Sequence, residues 1–163
     1  MYMEVMKMPR QARLILDDVC YHIITRGNEG KTVFEGENDF EKYLSLLLKY
    51  KRRYDFKLYG WCLMTNHVHL VVESDKLSKV MHGINLSYAQ YFHTLYSSSG
   101  HFWHDRYKSY VIQKDEYLVN CITYVEHNPV RANIVRRPDH YKWSSYEARI
   151  LGKANGLLDT IVL

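Results

Sequence analysis

The chain has 163 residues, 22 Lys and Arg against 18 Asp and Glu, a formal net charge of +4 and 47% hydrophobic residues. That is enough chain to bury one core without staples; the composition excludes a disordered protein, and no apolar run is long enough for a membrane helix. The three cysteines, Cys20, Cys62 and Cys121, are odd in number, far apart and set among apolar neighbours. They read as reduced core residues of a cytoplasmic protein. The cationic excess tilts the chain mildly toward polyanionic partners.

Residues 1–17 carry Arg10 and Arg13 around Pro9 without clear periodicity and read as a basic arm, with Met1 and Met8 both candidate starts. Residues 19–25 are β-branched and aromatic and run into Arg26-Gly27-Asn28, which predicts a strand and a turn. Asn38 and Glu41 resemble a capping box, and Phe40, Tyr43, Leu44, Leu47 and Leu48 recur at helical spacing into Arg52 and Arg53. Residues 56–64 and 67–73 predict two strands joined at Thr65-Asn66. Ser78 is the expected cap of a second helix with an apolar stripe of Val80, Met81, Ile84, Tyr88, Tyr91, Phe92 and Leu95. An aromatic and basic loop at 101–108 leads into a short strand at 109–113. Asp115 then caps a third helix, which must end near Pro129. The order β-α-β-β-α-β predicts an α+β ferredoxin-like antiparallel sheet with helices on one face, plus a further helix. One domain over 18–152 is expected, and 153–163 reads as a tail with no assigned role.

The chemistry concentrates at two places. His67 and His69 flank Val68 at the head of a strand, so their side chains share one face. Two neutral imidazoles at that spacing suit a divalent cation if a third ligand arrives from elsewhere. A lone pair of strand histidines is more commonly a hydrogen-bonded surface feature. On the third helix, Tyr124 and Asn128 are one turn apart, and Tyr124 alone among the tyrosines has Asn or Gln four positions later. An amide oxygen is a hard ligand suited to Mg2+ or Mn2+, and it would leave coordination positions open to phosphate oxygens. The phenol beside it would then stand as a nucleophile.

His67-Val68-His69 followed by Tyr124-Val125-Glu126-His127-Asn128-Pro129-Val130-Arg131-Ala132 resembles the single-tyrosine HUH transposases, and among them the REP-associated tyrosine transposases. Met8-Pro9-Arg10-Gln11-Ala12-Arg13, Tyr21-His22, Arg26-Gly27-Asn28, Met64-Thr65-Asn66, Gly100-His101, Arg106-Tyr107 and Trp143-Ser144-Ser145-Tyr146 extend the resemblance over about residues 8 to 152. Thr65 stands where the family is expected to have proline, a departure that touches turn geometry more than chemistry. The resemblance implies a ferredoxin-like fold and the nicking and rejoining of single-stranded DNA near hairpins through a 5′-phosphotyrosine. His67, His69 and Asn128 would be metal ligands and Tyr124 the nucleophile, with His127 as the runner-up third ligand. Arg10, Arg13, Arg52, Arg53, Arg106, Lys108 and Arg131 would contact phosphates, while Trp103 and Tyr107 would stack on unpaired bases. Both dimers sharing active sites and self-contained monomers fit this reading. A catalytically silent nucleic-acid-binding domain and a metal-dependent hydrolase are the competing functions.

Overall fold

Runs rich in β-branched, aromatic and other apolar residues build four strands, β1 (Cys20–Arg26), β2 (Lys57–Met64), β3 (His67–Glu73) and β4 (Lys108–Ile112). They form one antiparallel sheet in the order β2-β3-β1-β4, the arrangement a split β-α-β-β-α-β chain requires. The computed structural model describes residues 19–153 and 155–162, so the arm with Arg10 and Arg13 lies outside the described residues.

The sheet separates two apolar clusters. On one face Tyr21, Ile23, Leu63, Val68, Leu70 and Val72 meet α1 (Glu37–Tyr54) and α2 (Leu77–Leu95) through Tyr43, Leu47, Met81, Ile84 and Tyr88. On the other face Cys20, Cys62, Met64 and Val71 meet α3 (Glu116–Glu126) through Leu118, Cys121, Ile122 and Val125. A Cβ on Gly60 of β2 would lie 2.9 Å from Ile122 Cγ2, so the missing side chain lets α3 settle onto the sheet. All three cysteines are free and buried. Among the described residues no helix is long and apolar enough to cross a membrane.

Asp115 caps α3 as expected, its carboxylate accepting from the Tyr117 N–H at 2.9 Å. Two other caps differ from expectation. Before α1 the cap position is Gly36, and the buried Asp39 carboxylate accepts the N–H groups of Glu35 and Gly36 together with the hydroxyls of Tyr91 and Tyr96. The helix therefore begins before Asn38. Likewise α2 starts at Leu77, because the Ser74 hydroxyl has already taken the Lys76 N–H and Ser78 falls inside the helix. The third helix stops at Glu126, and a separate four-residue turn, α4 (Asn128–Arg131), accommodates Pro129 near its start.

The C-terminal segment is more than a tail, because it covers the outer edge of β2. Leu63 donates to the Trp143 carbonyl and Ser145 to that of Trp61, which follows the Cys62–Ser144 bridge. Further along, Leu157 is buried, and Asp159 exchanges bonds with the backbone of Leu58 while its carboxylate pairs with Lys51. An edge strand thereby loses its exposed hydrogen-bonding groups.

Candidate active site

Strand register assembles the site on the face covered by α3. Directly opposed residues share a face, so His67 and Arg26 form one row, His69, Ile24 and Lys108 the next, and Val71, His22 and Tyr110 the third. The turn that leads into His67 is clamped from outside. The Thr65 carbonyl accepts from Val33 N–H at 2.8 Å, and the Asn66 carbonyl accepts from Gly27 N–H at 2.9 Å. Those bonds fix the turn at Thr65, where the family pattern suggested proline.

His67 and His69 have ring centroids 4.9 Å apart. The Nδ1 of His67 donates to the Asn66 side-chain oxygen at 2.6 Å, which leaves its Nε2 carrying a lone pair. His69 is 3% exposed, its Nδ1 is 2.9 Å from His22 Nε2, and its Nε2 is buried without a partner among the described residues. Burial lowers the pKa of all three histidines from 6.5, to about 4 for His22, about 4 for His67 with help from the Arg26 charge, and about 2 for His69. All three rings are therefore neutral at pH 7, the form that binds metals. A buried imidazole nitrogen with no partner, beside a second one with a free lone pair, fits a divalent cation. Among the described residues no three His, Cys, Asp or Glu side chains converge as a metal cluster, so further ligands would be amide or substrate oxygens.

Tyr124 comes down from α3 onto this face. Its ring meets His22 edge-on, at 6.3 Å between centroids and 76° between planes. Arg131 of α4 covers the phenol, its guanidinium carbon 3.7 Å from the ring centroid, and also donates to the Tyr124 carbonyl. Asn128 is not on the same continuous helix as Tyr124, since α3 breaks at His127. Its amide nitrogen instead faces the carbonyls of Val125 and Tyr124, at 3.1 and 3.4 Å, so Nδ2 closes the helix end and Oδ1 is the atom left for a ligand role.

The runner-up His127 is turned elsewhere: its Nδ1 donates to the Thr123 carbonyl at 2.8 Å and its ring packs against Tyr146. Neighbouring Glu126 is fully buried in a forked ion pair with Arg149 and accepts from Ser145 Oγ at 2.6 Å, so it anchors α3 to the C-terminal segment.

The expected nucleic-acid contacts divide. Arg106 and Lys108 are exposed, and Lys108 shares the histidine face. Tyr107 is buried in the α2 cluster, with its hydroxyl 3.3 Å from Ser78 Oγ, so its ring is not open for stacking. Trp103 is half-buried, pinned by its bridge to Gly27 and by a bond from its indole N–H to the Asn85 carbonyl. Arg52 and Arg53 end α1 beside the start of β2, where Lys57 opposes Glu73, whereas His67 opposes Met64 at the other end. They stand away from the histidines. A cavity of about 200 Å³ at the turn after β1 is lined by Arg26, Gly27, Glu29, Gly30, Asn66 and His104, and by neither His67 nor His69. A larger depression of about 360 Å³, between Tyr59, Arg149 and Asp159, belongs to the C-terminal segment.

His22 and Asn66, which no spacing in the sequence marks as partners of the histidine pair, hold Nδ1 of His69 and of His67. For His22 the available signal was alternation along β1, which sets it on the face opposite Tyr21 and Ile23.

A ferredoxin-like sheet carrying a histidine pair, with a helix-borne tyrosine on the same face, defines a tyrosine-transposase fold. A family model described as IS200-like transposase matches residues 16–128, and the chain belongs to that family. No curated protein matches it. Among solved structures it is similar to a REP-associated tyrosine transposase bound to a REP hairpin, at 14% identity and a TM-score of 0.76, over 94% of this chain and 92% of that one.

Proposed function

We propose that the protein is a metal-dependent DNA strand transferase that nicks and rejoins single-stranded DNA near hairpins through a 5′-phosphotyrosine on Tyr124. The observation that carries this reading is the packing of Tyr124 against His22, the residue bonded to His69, within one chain. That placement supports attack in cis. His67, His69 and Asn128 Oδ1 would hold Mg2+ or Mn2+, with His22 and Asn66 orienting the imidazoles. When bound, the cation would polarise the scissile phosphate and stabilise the charge developing on it.

The remaining work belongs to the chain. Arg131 holds the Tyr124 ring and brings a positive charge beside the attacked phosphate. Tyr124 Oη bonds to phosphorus and gives up its proton, the P–O3′ bond breaks, and the leaving oxygen is protonated to a 3′-hydroxyl. The phosphodiester energy persists in the phosphotyrosine, so attack by a 3′-hydroxyl rejoins DNA without a nucleotide cofactor. Lys108 and Arg106 extend a cationic path across the same end of the sheet, suited to a DNA backbone.

The test is incubation with hairpin-bearing single-stranded DNA and Mn2+, followed by denaturing electrophoresis. A covalent adduct that disappears with Tyr124→Phe, with His67→Ala or with chelator supports the reading. Turnover that survives Tyr124→Phe points to a metal-dependent hydrolase, and binding without cleavage to a silent regulatory domain.

A further inference from the structure

We propose that His22 is the positioning residue that fixes the tautomer of His69, holding its proton on Nδ1 and leaving Nε2 as a donor to a divalent cation. The proposal rests on the metal reading of His67 and His69. Register places His22 diagonally beside His69, opposite Val71 on the adjacent strand. The two rings lie 5.2 Å apart with planes 21° from parallel, and His22 Nε2 approaches His69 Nδ1 at 2.9 Å. At 6% and 3% exposure both residues are buried, which strengthens a bond between them.

A neutral imidazole has one N–H and one lone pair, so only two arrangements satisfy this bond. If His22 donates, the proton of His69 sits on Nε2, which is buried and has no acceptor among the described residues. If His69 donates, Nε2 carries a lone pair that no described group satisfies, and a cation would complete it. Asn66 provides the same device for His67, since its side-chain oxygen takes the Nδ1 proton at 2.6 Å. Asn66 Oδ1 can only accept and so sets the tautomer of His67, and His22 does the same for His69 when its Nε2 accepts, so that each ligand presents Nε2. His22 cannot itself be the third ligand through Nε2, because that atom holds His69. Its ring also packs against Tyr110 at 6.0 Å and Tyr124 at 6.3 Å, which ties the metal ligand and the nucleophile into one packed unit.

Two measurements test this. The first is nitrogen-15 NMR of the histidines in the metal-free protein. His69 protonated on Nδ1 supports the proposal, and His69 protonated on Nε2 overturns it. The second is Mn2+ titration calorimetry, without DNA, on wild type, His22→Gln and His22→Leu. The Gln side-chain oxygen can accept the Nδ1 proton and Leu cannot, so Leu should weaken Mn2+ binding by roughly 10- to 100-fold while Gln restores most of it. Wild-type affinity in His22→Leu, or equal losses in both variants, overturns the proposal. If wild type takes up no Mn2+, the metal reading fails, and the NMR result still decides whether His22 sets the tautomer. Should the Leu variant not fold, the Gln variant and the wild-type tautomer carry the test.

Discussion

The guanidinium of Arg131 lies over the Tyr124 ring, 3.7 Å from its centroid, and the same group donates to the Tyr124 backbone carbonyl. One exposed arginine therefore binds the side chain and the main chain of the candidate nucleophile across the break between α3 and α4. A cation–π contact at an exposed site is worth about 0.5–1 kcal/mol, and a phosphate contact would add to it. Arg131→Ala should slow adduct formation by about threefold to tenfold. Arg131→Lys should recover only part, because an ammonium cannot cover the ring and bond the carbonyl together. Single-turnover adduct kinetics measure this, and an unchanged rate in Arg131→Ala would remove the arginine from the reaction.

The Glu126–Arg149 pair predicts an asymmetric stability result. Glu126 is fully buried and receives forked bonds from Arg149 as well as the Ser145 hydroxyl. Removing one partner of a buried pair leaves an uncompensated charge and costs about 3–5 kcal/mol. Arg149→Met should lose about that much in urea unfolding, while the double variant with Glu126→Gln should recover a large part. Equal losses in the single and double variants would contradict the account.

Gly60 predicts a displacement of α3. The Cβ added by Gly60→Ala meets Ile122 at 2.9 Å, and overpacking of this kind costs about 1–3 kcal/mol. Because α3 carries Tyr124, adduct formation should fall by more than the stability loss explains at temperatures where the variant is folded. Gly60→Ala combined with Ile122→Val should regain rate.

Acid should destabilise the metal-free protein through its histidines. The folded state holds His22 and His67 near pKa 4 and His69 near 2, against about 6.5 when unfolded. Below pH 6.5 the unfolded chain binds protons that the native chain refuses, so stability rises with pH and falls on acidification. The slope approaches about 1.4 kcal/mol per pH unit for each buried histidine, less for the partly exposed His67. Urea unfolding in chelator between pH 7 and 4.5 should show this decline, and His22→Gln should flatten it. A stability independent of pH across that window would contradict the burial argument.

Much of this architecture is legible in the sequence because it is local. Alternation along β3 sets His67 and His69 on one face and buries Val68 on the other, and Asp115 announces α3. What escapes is decided by distant pairing. No pattern in residues 20–26 reveals that His22 lies beside His69, because register across β1 and β3 is set by the hairpin and by the loop that clamps Thr65 and Asn66. Tyr107 looks like a stacking residue until α2 covers it, and Arg52 and Arg53 look like site charges until α1 carries them to the other end of the sheet. The docking of Asp159 on Leu58 is likewise invisible, because it joins residues 101 positions apart.

The central claim is that Tyr124 carries the cleaved strand. After reaction with hairpin-bearing single-stranded DNA and Mn2+, nuclease trimming and proteolysis, mass spectrometry should find a 5′-linked nucleotide on the peptide containing Tyr124, absent when chelator is present. Cleaved DNA with no modified peptide, or with the nucleotide on another tyrosine, would contradict the account.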